Sequence, residues 1–400
     1  MIQKFIIFSF LFSLSATSAF AFTDYLRAYV ILSLALITLC LQKILFSGRI
    51  PKIKFEPHLF SALIFVAYLW IISIFFNNEK TFIYLGVYSF FYILLLFSVF
   101  YLLNRYGHKL ILSLNSTSII IISLLVIFEF ILFHTFNFDV HDYIPRIGPT
   151  PDATVLVLIR RAYGFSNEPT NLSAYLVAFG GLAIYYWYKN KSNHINFRVL
   201  IVIAALLFTF SGSALGGFII ATLLCLPIII FHAIIYRSRK SIIFISTLFA
   251  LGLVLVTFDA FLAVSDKFKL DGNFGSGRGE SWISFFELIV KNDFAPHGLG
   301  SASLLGIFPI NSYLLVLYEA GFVGLIFYAI FHLTPFLFIS TSRLDYFDKM
   351  FLSFVLIISI SQLAAFDTFY YPYTIIYIAI VSYISKNEPI YPSRVTSPLN

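Results

Sequence analysis

The sequence predicts an all-α fold: a polytopic integral membrane helix bundle of about twelve transmembrane helices with two long extracytoplasmic loops. Three observations carry that expectation. Hydrophobic residues make up 60% of the 400 and charged residues 11%, where an average soluble domain is about 25% charged. Apolar runs close to the ~20 residues needed to cross ~30 Å of hydrocarbon recur along the chain. Lys and Arg gather in alternate connections between those runs, the pattern that marks cytoplasmic loops. The net charge of +7 therefore reads as a topology signal, and the expected partner is the lipid bilayer rather than nucleic acid.

The runs come in order. Those at 5–22, 26–46, 59–76, 81–103 and 111–134 give helices one to five, within 1–134. A first long loop follows over 135–170. Runs at 171–188, 195–210, 214–236 and 241–262 give helices six to nine, within 171–262. A second long loop covers 263–310, and runs at 311–334, 350–366 and 369–385 place the last three helices and a tail in 311–400.

The weakest run, 195–210, is settled by charge. Phe197 to Tyr236 is too long for one span at ~1.5 Å per residue. Basic clusters flank it on both sides, Lys189, Lys191 and Arg198 before and Arg237, Arg239 and Lys240 after. An even number of spans must separate two clusters on the same side, and Ser211-Gly212-Ser213 is the natural turn.

With the N-terminus inside, Arg49, Lys52, Lys54, Arg105, Lys109, Arg343, Lys349, Lys386 and Arg394 all fall on that side, whereas the short outward connections hold only Arg27 and Lys80. Both termini are expected to be cytoplasmic. Lys4, the first apolar run and Ser18-Ala19-Phe20-Ala21 also fit a cleavable signal segment, which would leave the downstream orientation unchanged. Cys40 and Cys225 have no His or Cys neighbour at ligand spacing, so neither a disulfide framework nor a zinc site is expected.

The two long loops are where chemistry can reside, because long connections in compact proteins are functional or disordered. Positive-inside counting does not extend to long segments, so their outward Arg146, Arg160, Arg161 and Arg278, with Lys267, Lys269 and Lys291, need another reason. An anionic membrane-bound ligand such as a lipid diphosphate supplies one; headgroup snorkelling is the plainer alternative. Residues 280–291 read as an amphipathic helix with Trp282, Phe285, Phe286 and Ile289 on the face expected in lipid. Ahead of it, Gly275-Ser276-Gly277-Arg278-Gly279 matches no nucleotide loop, but glycines permit close backbone approach and Arg278 offers a bidentate fork for phosphate. The apolar stretch 153–159 is too short to span and could be re-entrant or interfacial. Glu129, Asp259, Glu319 and Asp367 lie towards the outer helix ends, where carboxylates are functional or pair structurally with arginine. His232 and His332 lie near inner ends and read as structural.

An ordered set of motifs resembles a known family. Arg161-Ala162-Tyr163-Gly164-Phe165-Ser166-Asn167-Glu168-Pro169-Thr170 resembles the Gly-Phe…Glu-Pro-Ser segment of O-antigen and capsule polymerases of the Wzy type. Ser211-Gly212-Ser213 with Gly216-Gly217, Gly277-Arg278 with Trp282, and Gly298-Leu299-Gly300-Ser301 are similar to further elements of that family. So is Asn311-Ser312-Tyr313-Leu314…Glu319-Ala320-Gly321-Phe322-Val323-Gly324. The similarity runs from about 160 to 330. O-antigen ligases share the superfamily but usually carry His-Asn where this chain has Ile310-Asn311, and His297 could stand in for that histidine.

The resemblance implies a metal- and cofactor-free glycosyltransferase of the bacterial inner membrane. It would join glycan repeat units carried on undecaprenyl diphosphate, with a chain-length regulator and a flippase as pathway partners. Arg278, Glu168 and His297 are the catalytic candidates: Arg278 on the leaving diphosphate, Glu168 or His297 as base. Arg161, Arg160, Asn311 and Glu319 are candidates for substrate binding. Glu168 could instead cap the helix that follows it. A ligase, a lipid-linked oligosaccharide flippase or other transporter, and a sensor or scaffold remain as alternatives, although no matching halves of a transporter repeat are visible.

Overall fold

The computed structural model describes residues 2–17, 27–47, 57–144, 154–155, 159–191, 194–236, 241–246, 248–249, 278–306, 309–369 and 371–387. Their regular structure is helical apart from a two-residue antiparallel ladder, β1 (Thr154–Val155) with β2 (Ile159–Arg160). Of the stretch 153–159, only Thr154, Val155 and Ile159 are described; the expectation of a re-entrant or interfacial piece otherwise lies outside the described residues.

Among the described residues six helical segments are long and apolar enough to cross a membrane: Ala28–Phe46, Pro57–Phe75, Thr81–Phe136, Gly212–Ile235, Ser312–Thr341 and Tyr346–Ala365. The protein is thus a helical, membrane-embedded chain. In order its helices are α1 (Ile2–Ser13), α2 (Ala28–Ser47), α3 (Pro57–Phe75), α4 (Thr81–Ser89), α5 (Leu96–Phe136), α6 (Pro169–Lys189), α7 (Ile195–Phe208) and α8 (Gly212–Tyr236). Then follow α9 (Arg278–Lys291), α10 (Ser301–Leu305), α11 (Ser312–Thr341), α12 (Tyr346–Gln362) and α13 (Pro372–Asn387). Of the expected helix 241–262 only 241–246 and 248–249 are described.

Two of these helices are broken by a glycine. α4 runs through a π turn (Phe90–Leu95) into α5, which breaks at Gly107 with φ 74° and ψ 157°. Thr81 bonds to Leu299 at one end of the bundle, and Tyr106 meets Lys43 and Gln3 at the other. After Gly107 the chain returns, so that Glu129 reaches Gly164. The expected runs 81–103 and 111–134 fall on two helical segments that turn at one glycine, in a backbone region that residues with a Cβ avoid.

α11 breaks at Gly321, φ 71° and ψ −176°. In a straight helix Tyr313 and Tyr328 would stand about 22 Å apart, yet their ring centroids are 5.9 Å apart. The chain therefore folds back at Gly321. The expected single span 311–334 is corrected to a short helix, 312–320, that doubles back into the longer piece, 322–341.

Close approach of helices rests on small residues, as in lipid, where polar and packing contacts replace the hydrophobic drive. A Cβ on Gly181 would lie 2.6 Å from Val355 Cγ1, and one on Gly217 would lie 3.1 Å from the Ile358 carbonyl oxygen. These two glycines seat α12 against α6 and α8. α1 is short but belongs to the core, with Phe10, Leu11 and Leu14 buried and Tyr175 donating to the Leu11 carbonyl at 3.1 Å.

The connections sort to two ends. Thr17 bonds to Ser166 and Asn167, Asn78 to Leu299, Ala162 to Phe208, Ser173 to Ser211 and Gln362 to Ser173, which gathers the loops at one end. At the other end Lys43 donates to Tyr106 at 2.6 Å, Lys189 pairs with Asp348, and Lys349 donates to the Ser340 carbonyl at 2.7 Å. Of the basic residues that marked alternate connections in the sequence, Lys189 and Lys349 lie at this second end.

Candidate functional site

The loop end is built in two parts. In the first, Glu129 near the end of α5 clamps the chain that leads into α6. Its Oε1 accepts from Tyr163 N at 3.1 Å and from His141 Nε2 at 2.6 Å, and its Oε2 accepts from Gly164 N at 2.7 Å. The side chain is about one-tenth exposed. Such a carboxylate is held by its three donors rather than available to a ligand. His141 in turn stacks on the Tyr163 ring, centroids 3.8 Å apart at 6°.

This clamp positions two of the candidate arginines. Arg160 Nη1 lies 2.5 Å from Asp139 Oδ2, Nη2 donates to Tyr163 Oη at 3.3 Å, and Cζ sits 4.6 Å above the Phe133 ring. Two of five guanidinium N–H groups are engaged by these contacts. Arg161 lines the same small hollow, with Asp139, His141 and Phe138. Glu168 is exposed, in extended backbone immediately before Pro169, the first residue of α6. It occupies the N-cap position of α6, where a carboxylate suits the helix dipole, but its side chain makes no cap hydrogen bond.

The second part is organised by the break in α11. Without the helix ladder beyond Gly321, the carbonyls of residues 318–320 need other donors. Tyr318 O accepts from His297 N and from His297 Nδ1, both at 3.1 Å, Glu319 O from Gly298 N at 3.0 Å, and Ala320 O from Tyr68 Oη at 2.8 Å. Phe322 N donates back to Phe294 O at 3.2 Å. The broken helix and the segment 294–302 therefore complete each other.

His297 is fixed in this frame. Its Nδ1 must carry the proton to donate to a carbonyl, which leaves Nε2 as the acceptor, 2.5 Å from Nδ2 of exposed Asn292. The ring stacks on Tyr318, centroids 4.0 Å apart, and the edge of Phe285 of α9 meets the same tyrosine at 5.2 Å. α9, the helix that Arg278 begins, is thereby tied to His297 through one aromatic stack. The Arg278 side chain lies outside the described residues.

One expectation is corrected here, and two candidate residues are placed. Phe285 and Ile289 of the amphipathic helix are buried in protein, not in lipid, because Tyr318 offers them an aromatic wall; Ile283, Phe286 and Val290 form the exposed apolar edge. Asn311 stands at the N-cap of the short helix. It is buried, and its Oδ1 caps the short helix by accepting from Tyr313 N at 3.0 Å and Leu314 N at 3.2 Å. Glu319 is likewise buried, with Oε1 3.4 Å from Ala302 N and Oε2 without a hydrogen-bond partner. It supports the 298–302 turn from beneath.

The structure thus brings Arg160 and Arg161 together, and joins His297 to α9. Asp139, His141, Tyr163, Asn292 and Tyr318, which hold them, are not legible from sequence, since each acts across a turn or a break. Among the described residues no three His, Cys, Asp or Glu side chains come together as metal ligands. Comparison with protein-family models, with characterised proteins and with solved structures finds no match.

Proposed function

We propose that the chain is a metal-independent glycosyltransferase that polymerises oligosaccharide units carried on a polyprenyl diphosphate, of the undecaprenyl type, at the outer face of a bacterial cytoplasmic membrane. The observation that carries this reading is the gathering at one end of the bundle of the segments whose order resembles Wzy-type polymerases. These are 161–170, 211–217, 298–301 and 311–324, with Arg160, Arg161 and His297 among or beside them. In this reading that end faces outward and the basic end faces the cytoplasm. Twelve traverses result when 81–136 counts as two and α1, α6, α7, α13 and 241–262 are added.

The chemistry requires little beyond these groups. An acceptor hydroxyl attacks the anomeric carbon of the donor sugar, the carbon–oxygen bond to the diphosphate breaks, and the polyprenyl diphosphate leaves with the electron pair. Negative charge grows on the leaving oxygen, so arginines placed in advance stabilise the transition state more than the ground state. The hydroxyl proton passes to a base, for which His297 Nε2 and the exposed Glu168 carboxylate are the candidates.

One observation favours the ligase alternative, in which the glycan passes to a different acceptor: His297 has a lone pair at Nε2 held only by an exposed asparagine. A deletion strain separates the two. Loss of the polymerase leaves the carrier loaded with single units, loss of a ligase leaves long chains on the carrier, and an unchanged lipid-linked pool would refute both.

A further inference from the structure

Lys43 carries a charge within a membrane helix, where ionisable residues are rare. It lies in the last turn of the apolar span Ala28–Phe46 and continues a stripe of Leu36 and Cys40, both buried against the bundle. Gln3 and Ile7 of α1 and Tyr101 and Tyr106 of α5 line the same small hollow. The face of α2 that bears the lysine is thus turned towards protein. Free reach for water does not account for a cation placed there.

Its partners are phenols. Lys43 Nζ donates to Tyr106 Oη at 2.6 Å and lies 5.3 Å from the centre of that ring. The Tyr106 hydroxyl in turn donates to Gln3 Oε1, which leaves its lone pair fixed on the ammonium. Arg105 Cζ is 5.8 Å from the same ring, and its Nη1 donates to Tyr101 Oη at 3.1 Å. Two full positive charges therefore share one tyrosine. Among the described residues neither pairs with a carboxylate. Phenol oxygens and ring faces orient the cations without neutralising them, and most of their N–H donors are not engaged by these contacts. A pair of like charges held in this way attracts an anion.

Beside the cations runs an apolar stripe. Leu34, Leu41 and Leu45 follow one another along the exposed face of α2, over about 16 Å at 1.5 Å per residue. We infer that Lys43 and Arg105 form a binding site for one anionic phospholipid, with its phosphate at the two cations and an acyl chain along this stripe. In the orientation proposed above this end faces the cytoplasm, so the lipid belongs to the inner leaflet, where anionic headgroups draw basic residues. The bound phosphate removes the repulsion between the cations and fastens α1 and α2 onto α5 beside the Gly107 turn. The site uses none of the residues given a part in glycan transfer, and it stands or falls apart from that reading.

The test uses purified full-length protein, stripped of lipid in detergent and titrated with phosphatidylglycerol or phosphatidylcholine of equal chain length. Native mass spectrometry should show one phosphatidylglycerol held roughly tenfold more tightly than phosphatidylcholine, the gain expected for a charge-assisted contact. Thermal unfolding should shift upwards only with phosphatidylglycerol. Arg105→Gln and Lys43→Met should each bring the two lipids close to parity, and Lys43→Arg should keep the preference. Circular dichroism checks that the variants fold; if Lys43→Met does not, Arg105→Gln, at an exposed position, carries the test. Glycerol phosphate, a headgroup without chains, should not displace the bound lipid at equal concentration. Equal retention of both lipids by the unaltered protein would overturn the inference. So would an undiminished preference in Arg105→Gln, which puts the lipid elsewhere. Displacement by glycerol phosphate as effective as that by lipid would also overturn it, since the site would then take free anions.

Discussion

His141 Nε2 and Glu129 Oε1 are 2.6 Å apart, and this contact closes a loop onto a helical side chain twelve residues earlier. The same carboxylate takes the backbone N–H groups of Tyr163 and Gly164, so one side chain holds both ends of the first long loop. The arginines are positioned indirectly, by an acid that never reaches them.

Glu129→Ala should therefore free the loop without unfolding the bundle. Two buried N–H groups and an imidazole lose their acceptor, a cost of about 3 kcal/mol. Hydrogen exchange should read this as a roughly hundredfold loss of protection at amides 163 and 164. Glu129→Gln should rescue only in part, because its amide nitrogen cannot accept. Unchanged exchange at both amides would mean the clamp is not what orders the loop.

Glycines 298 and 107 separate two kinds of backbone demand. Both have positive φ, +89° and +74°. A Cβ on Gly298 would lie 2.2 Å from the Phe76 carbonyl oxygen, whereas one on Gly107 meets nothing within 4 Å. Gly107→Ala should cost only the conformational strain, of order 1–3 kcal/mol. Gly298→Ala should cost more, since backbone must also move, and should lower the unfolding temperature further in a matched detergent. Equal losses would show that the contact with Phe76 relaxes freely.

Much of this fold was legible because the bilayer imposes a simple rule: apolar length and basic connections. Helix ends at Ser47, Lys189 and Tyr236 fall within three residues of the runs read from composition. What composition could not show were the breaks. Gly321 lies in an unbroken apolar run, and only the carbonyls it releases to His297, Gly298 and Tyr68 reveal the fold-back. The same break makes Asn311 a cap and Glu319 a buried support, roles that composition does not show.

Sidedness follows from the sorting of connections. Single cysteines at positions 213 and 292 should react with an impermeant maleimide in intact cells, and those at 105, 191 and 343 only after permeabilisation. Reaction at 191 but not at 292 would invert the orientation and remove the proposed site from the outer face.

Polymerisation should need neither divalent metal nor nucleotide. In the proposed reaction arginines and a single base act, and the energy comes from breaking the carbon–oxygen bond between the donor sugar and its diphosphate. Purified protein given lipid-linked units should form polymer in excess chelator at the rate seen without it. Activity restored only by magnesium or manganese would point to a metal site in the reaction path.

The sharpest prediction concerns Arg278, the first residue of α9. α9 is anchored by Phe285 against Tyr318, which stacks on His297, so the start of this helix is held in register with the candidate base. If Arg278 grips the leaving diphosphate through two parallel hydrogen bonds, lysine should replace it poorly, because an ammonium lacks the planar fork. Loss of a contact made mainly in the transition state costs about 3 kcal/mol, roughly a hundredfold in rate. Arg278→Ala should therefore remove long chains while membrane levels stay normal, and Arg278→Lys should recover little. An arginine that only reached for headgroups would tolerate lysine without change. Near-normal polymer from both variants at equal expression would move the leaving-group contact to Arg160 and Arg161, across the loop end, and the corresponding alanine variants would then carry the loss.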